Sequence, residues 1–242
     1  RMESQLRDYE TVSYAFGAVI DITSVSRDHH RVKTDTEEMY ETKYVIICAG
    51  LEPKKLGEPF EQQFLGRGIS YYAQCDASSY EGKEVAVVGG GNCACYAADY
   101  LSEYVDKLYL IHHTNHLKAV KLLKEKVVQN PKISFLWDTR ITEVFGIDKV
   151  EKIKLESMTG QQTWLDVKGI FVYVGRIPPT LPFNMAIQLD EEGFIITDEY
   201  MRTNVPGIYA AGDIRAKQVR QIATAVSDGM LAAVNIGKEM VD

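Results

Sequence analysis

Three short stretches of this chain combine residue types that could do chemistry. Gly89-Gly90-Gly91-Asn92-Cys93-Ala94 follows an apolar run, Glu84-Val85-Ala86-Val87-Val88, and precedes a helical pattern. In that setting the spacing G-x-G-x-x-A lets Gly89 turn the chain, Gly91 bring the backbone close to a pyrophosphate, and Ala94 pack a helix onto its strand. The N-terminus of that helix adds free N–H groups and a positive dipole end. Ile208-Tyr209-Ala210-Ala211-Gly212-Asp213 is a second apolar strand, which delivers a small-residue turn and a carboxylate to one point and can approach a dinucleotide. The third stretch, Tyr72-Ala73-Gln74-Cys75-Asp76, sets a thiol beside an acid. His112, His113 and His116 suggest a metal site, since a helical i, i+4 pair can share an ion. They fall instead where a strand runs into a loop, with no cysteine or carboxylate in the stretch, and no metal is expected.

The elements that must position these residues alternate between strand and helix, which predicts an α/β fold. Thr11 to Ile22 is rich in β-branched and aromatic residues, His30 to Thr34 alternates, and Tyr44 to Cys48 reads as a strand buried on both faces, with Cys48 inside it. Residues 51–59 carry two prolines and a glycine, which predicts a crossing between domains. Beyond the glycine motif, Ala94, Ala97, Ala98, Leu101 and Val105 recur at helical spacing, Leu108 to Ile111 is a strand, and Ala119 to Val128 is an amphipathic helix stopped by Asn130-Pro131. Ile133 to Trp137 is a further strand. Residues 139–168 predict a small antiparallel meander with a turn at Thr159-Gly160, followed by a buried strand at 169–175. A strand at Phe194 to Thr197 and a small-residue helix from about Gln221 to Glu239 complete the pattern.

At 242 residues the chain can hold two ordinary domains. A net charge of −7 and the lack of a basic, aromatic stripe set nucleic acid aside as a partner. No apolar run approaches about eighteen residues and no charged-then-apolar leader opens the chain, so neither a membrane span nor a secretory signal is expected and the cytosol is the expected compartment. The four cysteines do not make a disulfide framework in a chain of this length.

In their order and separation, the three stretches resemble those of the low-molecular-weight thioredoxin reductases, and the resemblance spans essentially the whole chain. It implies two Rossmann-like domains, with a pyridine-nucleotide-type domain at 54–174 inserted into a discontinuous FAD domain at 1–53 and 175–242. The family's first βαβ unit, whose glycines hold the FAD pyrophosphate, is missing from the sequence, which opens on Arg1, a start not expected to be the native one. The resemblance further implies FAD as cofactor, a homodimer, and a redox protein partner such as a thioredoxin-like protein or a ferredoxin. On the same basis Asp213, after Gly212, accepts a hydrogen bond from the ribityl chain. Arg220, Gln221 and Ile222 open the last helix beneath the flavin ring, where N–H groups stabilise negative charge on its reduced form.

Two departures from the family pattern bear on function. Relatives that use NADPH carry a His-Arg-Arg run and a later arginine that take the 2′-phosphate through charge-assisted bonds. Here the run is His112-His113-Thr114 and the later position is Lys118, while no acid stands ready for the ribose of NADH. NADPH and NADH are therefore both implied, with little discrimination. The family dithiol is Cys-x-x-Cys-Asp, whose first thiol exchanges with the protein substrate, whose second faces the flavin and whose aspartate moves protons. Cys75 and Asp76 match the second thiol and the acid, but Tyr72 replaces the first thiol, so dithiol cycling at this motif is not expected. Cys93 and Cys95 are not expected to replace it, because residues two apart on a helix point to different sides. The resulting expectation is an FAD-dependent oxidoreductase similar to thioredoxin reductase, with altered donor and acceptor sites. The alternative is a non-catalytic relative serving as a partner subunit or ligand-binding module.

Overall fold

A computed structural model describes residues 9–179, 182–183 and 186–241 of the chain. They divide into two compact units, one made of residues up to Glu52 together with those from Pro178 onward, the other of Pro53–Ile177.

The second unit is built on a five-stranded parallel sheet in the order Ile69–Ser70, Gly169–Val172, Glu84–Val88, Lys107–Ile111, Ile133–Leu136. The sheet is covered on both faces, which explains why its central strand is continuously apolar from Val85 to Val88 rather than alternating. Val85 and Val87 pack beneath the helix Asn92–Ser102 with Ala94, Ala98 and Leu101. Ala86 and Val88 point the other way, onto Ile141, Ile153 and Ile170. That second layer contains the antiparallel meander Thr139–Phe145, Lys152–Ser157 and Gln162–Asp166, as predicted. The helix Lys121–Gln129 starts two residues later than predicted and ends one residue later. At the ends of the unit, Lys54 N–H donates to the Gly175 carbonyl at 3.0 Å.

The first unit contains an antiparallel sheet of Val19–Ser26, His29–Thr34 and Met39–Thr42, and a parallel pair of Val45–Ile47 with Ile208–Ala210. In the latter strand Ile208 and Ala210 pack with Ile47 on one face. Tyr209 turns to the other face, against Ala232 of the helix Ile222–Glu239.

Three expectations are corrected here. The first sheet strand begins at Val19 rather than near Thr11, because among the described residues no neighbouring strand pairs with 11–18, and β-branched composition alone cannot make a ladder. Among the described residues, Phe194 to Thr197 makes only isolated bridges, Ile195 with Leu189 and with Arg215. Cys48 lies one residue beyond its strand and is exposed rather than buried.

Candidate functional site

The predicted site residues fall into two groups, one in each unit. In the second unit, Gly89 turns the chain at φ +137°, and a Cβ there would stand 2.3 Å from the Tyr173 carbonyl oxygen. A Cβ on Gly90 would meet the His112 ring at 2.5 Å. Both glycines are thus required by packing alone. Gly91 differs, since a Cβ on it would meet nothing within 4 Å, although it caps the helix Asn92–Ser102. That open backbone at a helix N-terminus is what an incoming pyrophosphate needs. Ala94 is fully buried and closes the helix onto the sheet. Lys118 supports the turn through its backbone N–H, which donates to the Gly90 carbonyl at 2.7 Å, and leaves its side chain exposed.

His112 is not placed as a phosphate ligand. It is 4% exposed, lies under Gly90, and neither ring nitrogen has a hydrogen-bond partner among the described residues. Burial, followed by neighbouring His113 and Lys118, holds its pKa below the ordinary histidine value, so the ring is neutral at pH 7 and offers no charge to a 2′-phosphate. The residues of this loop that face solvent are His113, Asn115 and His116, with Thr114 partly exposed.

Cys75 lies in the short helix Ala73–Asp76 beside a cavity of about 400 Å³. Tyr72 caps this helix from outside, and its carbonyl accepts the N–H groups of Cys75 and Asp76 at 3.2 and 3.3 Å. Tyr173, at the end of the strand Gly169–Val172, accepts the Ala73 N–H on its phenol oxygen at 2.9 Å and so ties the helix to the sheet. Two residues not singled out from the sequence, Tyr71 in this wall and Glu61 behind it, hold it in place. Buried Glu61 accepts the N–H groups of Leu56 and Gly57 at 2.9 and 3.1 Å and the hydroxyl of Tyr71, a cavity residue. Burial and that bond to Glu61 raise the Tyr71 pKa. Asp76 ends the helix and is absent from the cavity wall.

In the first unit, Gly212 takes φ +82° at the end of the strand Ile208–Ala210 and turns Asp213 inward. Asp213 Oδ1 is buried and has no hydrogen-bond partner among the described residues. Arg220 acts on this turn as a clamp: Nε donates to the Asp213 carbonyl and Nη2 to the Arg215 carbonyl, both at 3.2 Å, while the guanidinium lies 3.8 Å from the Phe194 ring centroid. Gln221 caps the helix Ile222–Glu239 in a reciprocal capping box with Thr224, and Ile222, 78% exposed, leaves the first turn of that helix open.

Sequence reading missed the group that holds this turn. Asp228 accepts the Gly212 N–H at 3.0 Å and pairs with Arg215 and Lys217, each at 2.8 Å, with all three side chains almost buried. A signal existed, for Asp228 is the lone charge between Ile222 and Gly237 in a helix of small and apolar residues. Burial opposes its ionisation, but the bonds from Lys217 and Arg215 outweigh it, and its pKa lies below the usual carboxylate value. Its contribution to stability is therefore complete above an unfolded value of about 4 and is lost as pH falls through the lower folded value. Asp228→Asn is expected to cost about 3–5 kcal/mol in urea denaturation at pH 7, because it leaves two nearly buried cations unpaired. A loss under about 1 kcal/mol would contradict the role given to this network.

A family model described as pyridine nucleotide-disulphide oxidoreductase matches residues 6–229. The thioredoxin reductase of Listeria innocua is 40% identical over 227 residues, covering 93% of this chain and 70% of the relative. Among solved structures, that of Lactococcus lactis thioredoxin reductase in its FR conformation is similar with a TM-score of 0.88 at 37% identity, over 94% of this chain and 75% of that one. The structure of T. acidophilum thioredoxin reductase gives 0.86 at 33% identity, over 93% and 74% of the two chains.

Proposed function

The chain belongs to the pyridine nucleotide-disulphide oxidoreductase family, and from that premise we propose that it is an FAD-dependent oxidoreductase similar to thioredoxin reductase, altered where electrons enter and where they leave. The observation that carries this reading is the buried, unpartnered Asp213 Oδ1 at the Ala-Gly-Asp turn, since an isolated buried carboxylate oxygen is costly unless a ligand hydroxyl completes it. Asp213 would accept from the sugar-alcohol chain of FAD. The free N–H groups at the start of Ile222–Glu239 would lie toward the developing negative charge. FAD would supply the two-electron redox chemistry, and the protein would supply orientation and electrostatics.

In the other unit, Gly89, Gly91 and Ala94 would receive the pyrophosphate of NADH or NADPH. With His112 neutral and buried, Lys118 is the one remaining cation at the family's 2′-phosphate positions, so neither nucleotide is strongly selected. At the exit, Cys75 is reachable from the cavity, but Tyr72 stands where the family's exchanging thiol would be. Asp76 is the group available to move a proton near Cys75. A homodimer, and a thioredoxin-like protein or a ferredoxin as redox partner, go with this reading.

The test is the flavin content of the protein produced from its complete gene. One FAD per chain is expected after gel filtration, and Asp213→Ala should weaken its retention at least about tenfold, the worth of a hydrogen bond to a charged acceptor. A colourless protein that does not take up added FAD would overturn the reading in favour of a non-catalytic relative.

A further inference from the structure

Helical phase gives Cys93 a different role from Cys95. On Asn92–Ser102, positions 93, 96, 97 and 100 share one side of the helix, and all four line the cavity that Cys75 also lines. This side faces the helix Ala73–Asp76, as Gln74 Nε2 donates to the Tyr96 hydroxyl at 3.4 Å, one turn beyond Cys93. Cys95 points the other way and is fully buried, with its thiol pushed up to about 11 by that burial. Cys48 lies in the other unit. Cys75 and Cys93 are therefore the two cysteines that are exposed, free and on one cavity, with Tyr72 beside them.

We propose that Cys75 and Cys93 form the redox-active dithiol of this protein, closing a disulfide across the cavity in place of the bond that Tyr72 prevents. The bond joins two helices rather than the ends of one turn. A disulfide requires Cα atoms roughly 4.4–6.8 Å apart, and both cysteines lie on the wall of one cavity. The partner is a disulfide. One thiolate attacks it, breaking its S–S bond, forming a mixed disulfide and releasing the first partner thiol. The second thiolate attacks the mixed disulfide at the protein sulfur and releases the second partner thiol. Two electrons and two protons pass to the partner, and the protein is left with the Cys75–Cys93 bond. The inference deepens the function proposed above and rests on it for the supply of electrons, but the pairing itself requires no flavin.

The probe is oxidised glutathione. The reduced 242-residue chain carries four thiols, and incubation followed by thiol counting in denaturant is expected to leave two. Peptide mapping without reductant should join the Gly68–Lys83 peptide to Glu84–Lys107 within one chain. Cys75→Ser and Cys93→Ser should each abolish this link, and Cys95→Ser should preserve it, which assigns the bond within a peptide holding both Cys93 and Cys95. Retention of four thiols in wild type, glutathione left on both sulfurs without a link, or a link that survives Cys93→Ser would overturn the proposal. A colourless protein that forms the link would contradict the flavin reading alone, and a yellow protein that does not form it would contradict this inference alone.

Discussion

Tyr72→Cys in a Cys93→Ser background is expected to lose two thiols on mild oxidation, where Cys93→Ser alone loses none, and the added Cys75→Ser change should abolish the loss. Tyr72 is the residue before the helix Ala73–Asp76 and Cys75 is the third residue within it. Side chains at these two positions of a helix start face one another, the relation that a capping box uses. Two sulfurs there fall within bonding reach, and the motif would again carry an exchanging thiol. Tyr72 is 55% exposed, so its removal leaves no large void. In the flavin-loaded protein the same change should raise disulfide reduction at least about tenfold over Cys93→Ser. Thiol loss that persists without Cys75 would place the reactive pair elsewhere and withdraw the part given to this segment.

Replacing His113 and Thr114 with arginine is expected to tighten NADPH binding at least about tenfold while leaving NADH nearly unchanged. Each guanidinium offers a charge-assisted pair to the 2′-phosphate, worth roughly 1.5–3 kcal/mol where water is excluded and less on this exposed loop. His113 is exposed and packs edge-on against His112 at 4.5 Å between ring centroids, so substitution there disturbs little of the core. Calorimetric titration of the variant with each nucleotide reads the effect. An equal gain for NADH would show that the arginines act on the pyrophosphate or on the loop rather than on the 2′-phosphate.

Much of the parallel sheet was legible because its strands are apolar on both faces, a pattern that leaves little choice at Glu84–Val88 or Gly169–Val172. The glycine motif was legible for the same reason, since strand, turn and helix each narrow the reading of the next. What stayed hidden depends on neighbours distant in sequence. Pro59 read as a breaker, yet it starts the helix Pro59–Phe64, where a missing N–H costs nothing. Glu61 and Asp228 carry no motif of their own, and only folding shows the N–H groups and cations each one holds. His112 reads as a ligand because it matches the first position of the family's His-Arg-Arg run, whereas Gly90 lets the chain pass over it and bury it. Cys93 was judged against Cys95, its neighbour along the helix, when the cysteine sharing its cavity is eighteen residues earlier in the chain.

The proposed function requires a bound flavin that either nicotinamide nucleotide can reduce, with the 2′-phosphate only weakly held. Anaerobic titration of the flavin-loaded protein with NADH and NADPH, followed by bleaching of the flavin absorbance, tests it directly. The flavin is expected to be reduced, with half-saturating concentrations of the two nucleotides within about tenfold of each other, since the family's two arginines are His113 and Thr114 here and His112 is neutral. A preference for NADPH of about a hundredfold or more would contradict it.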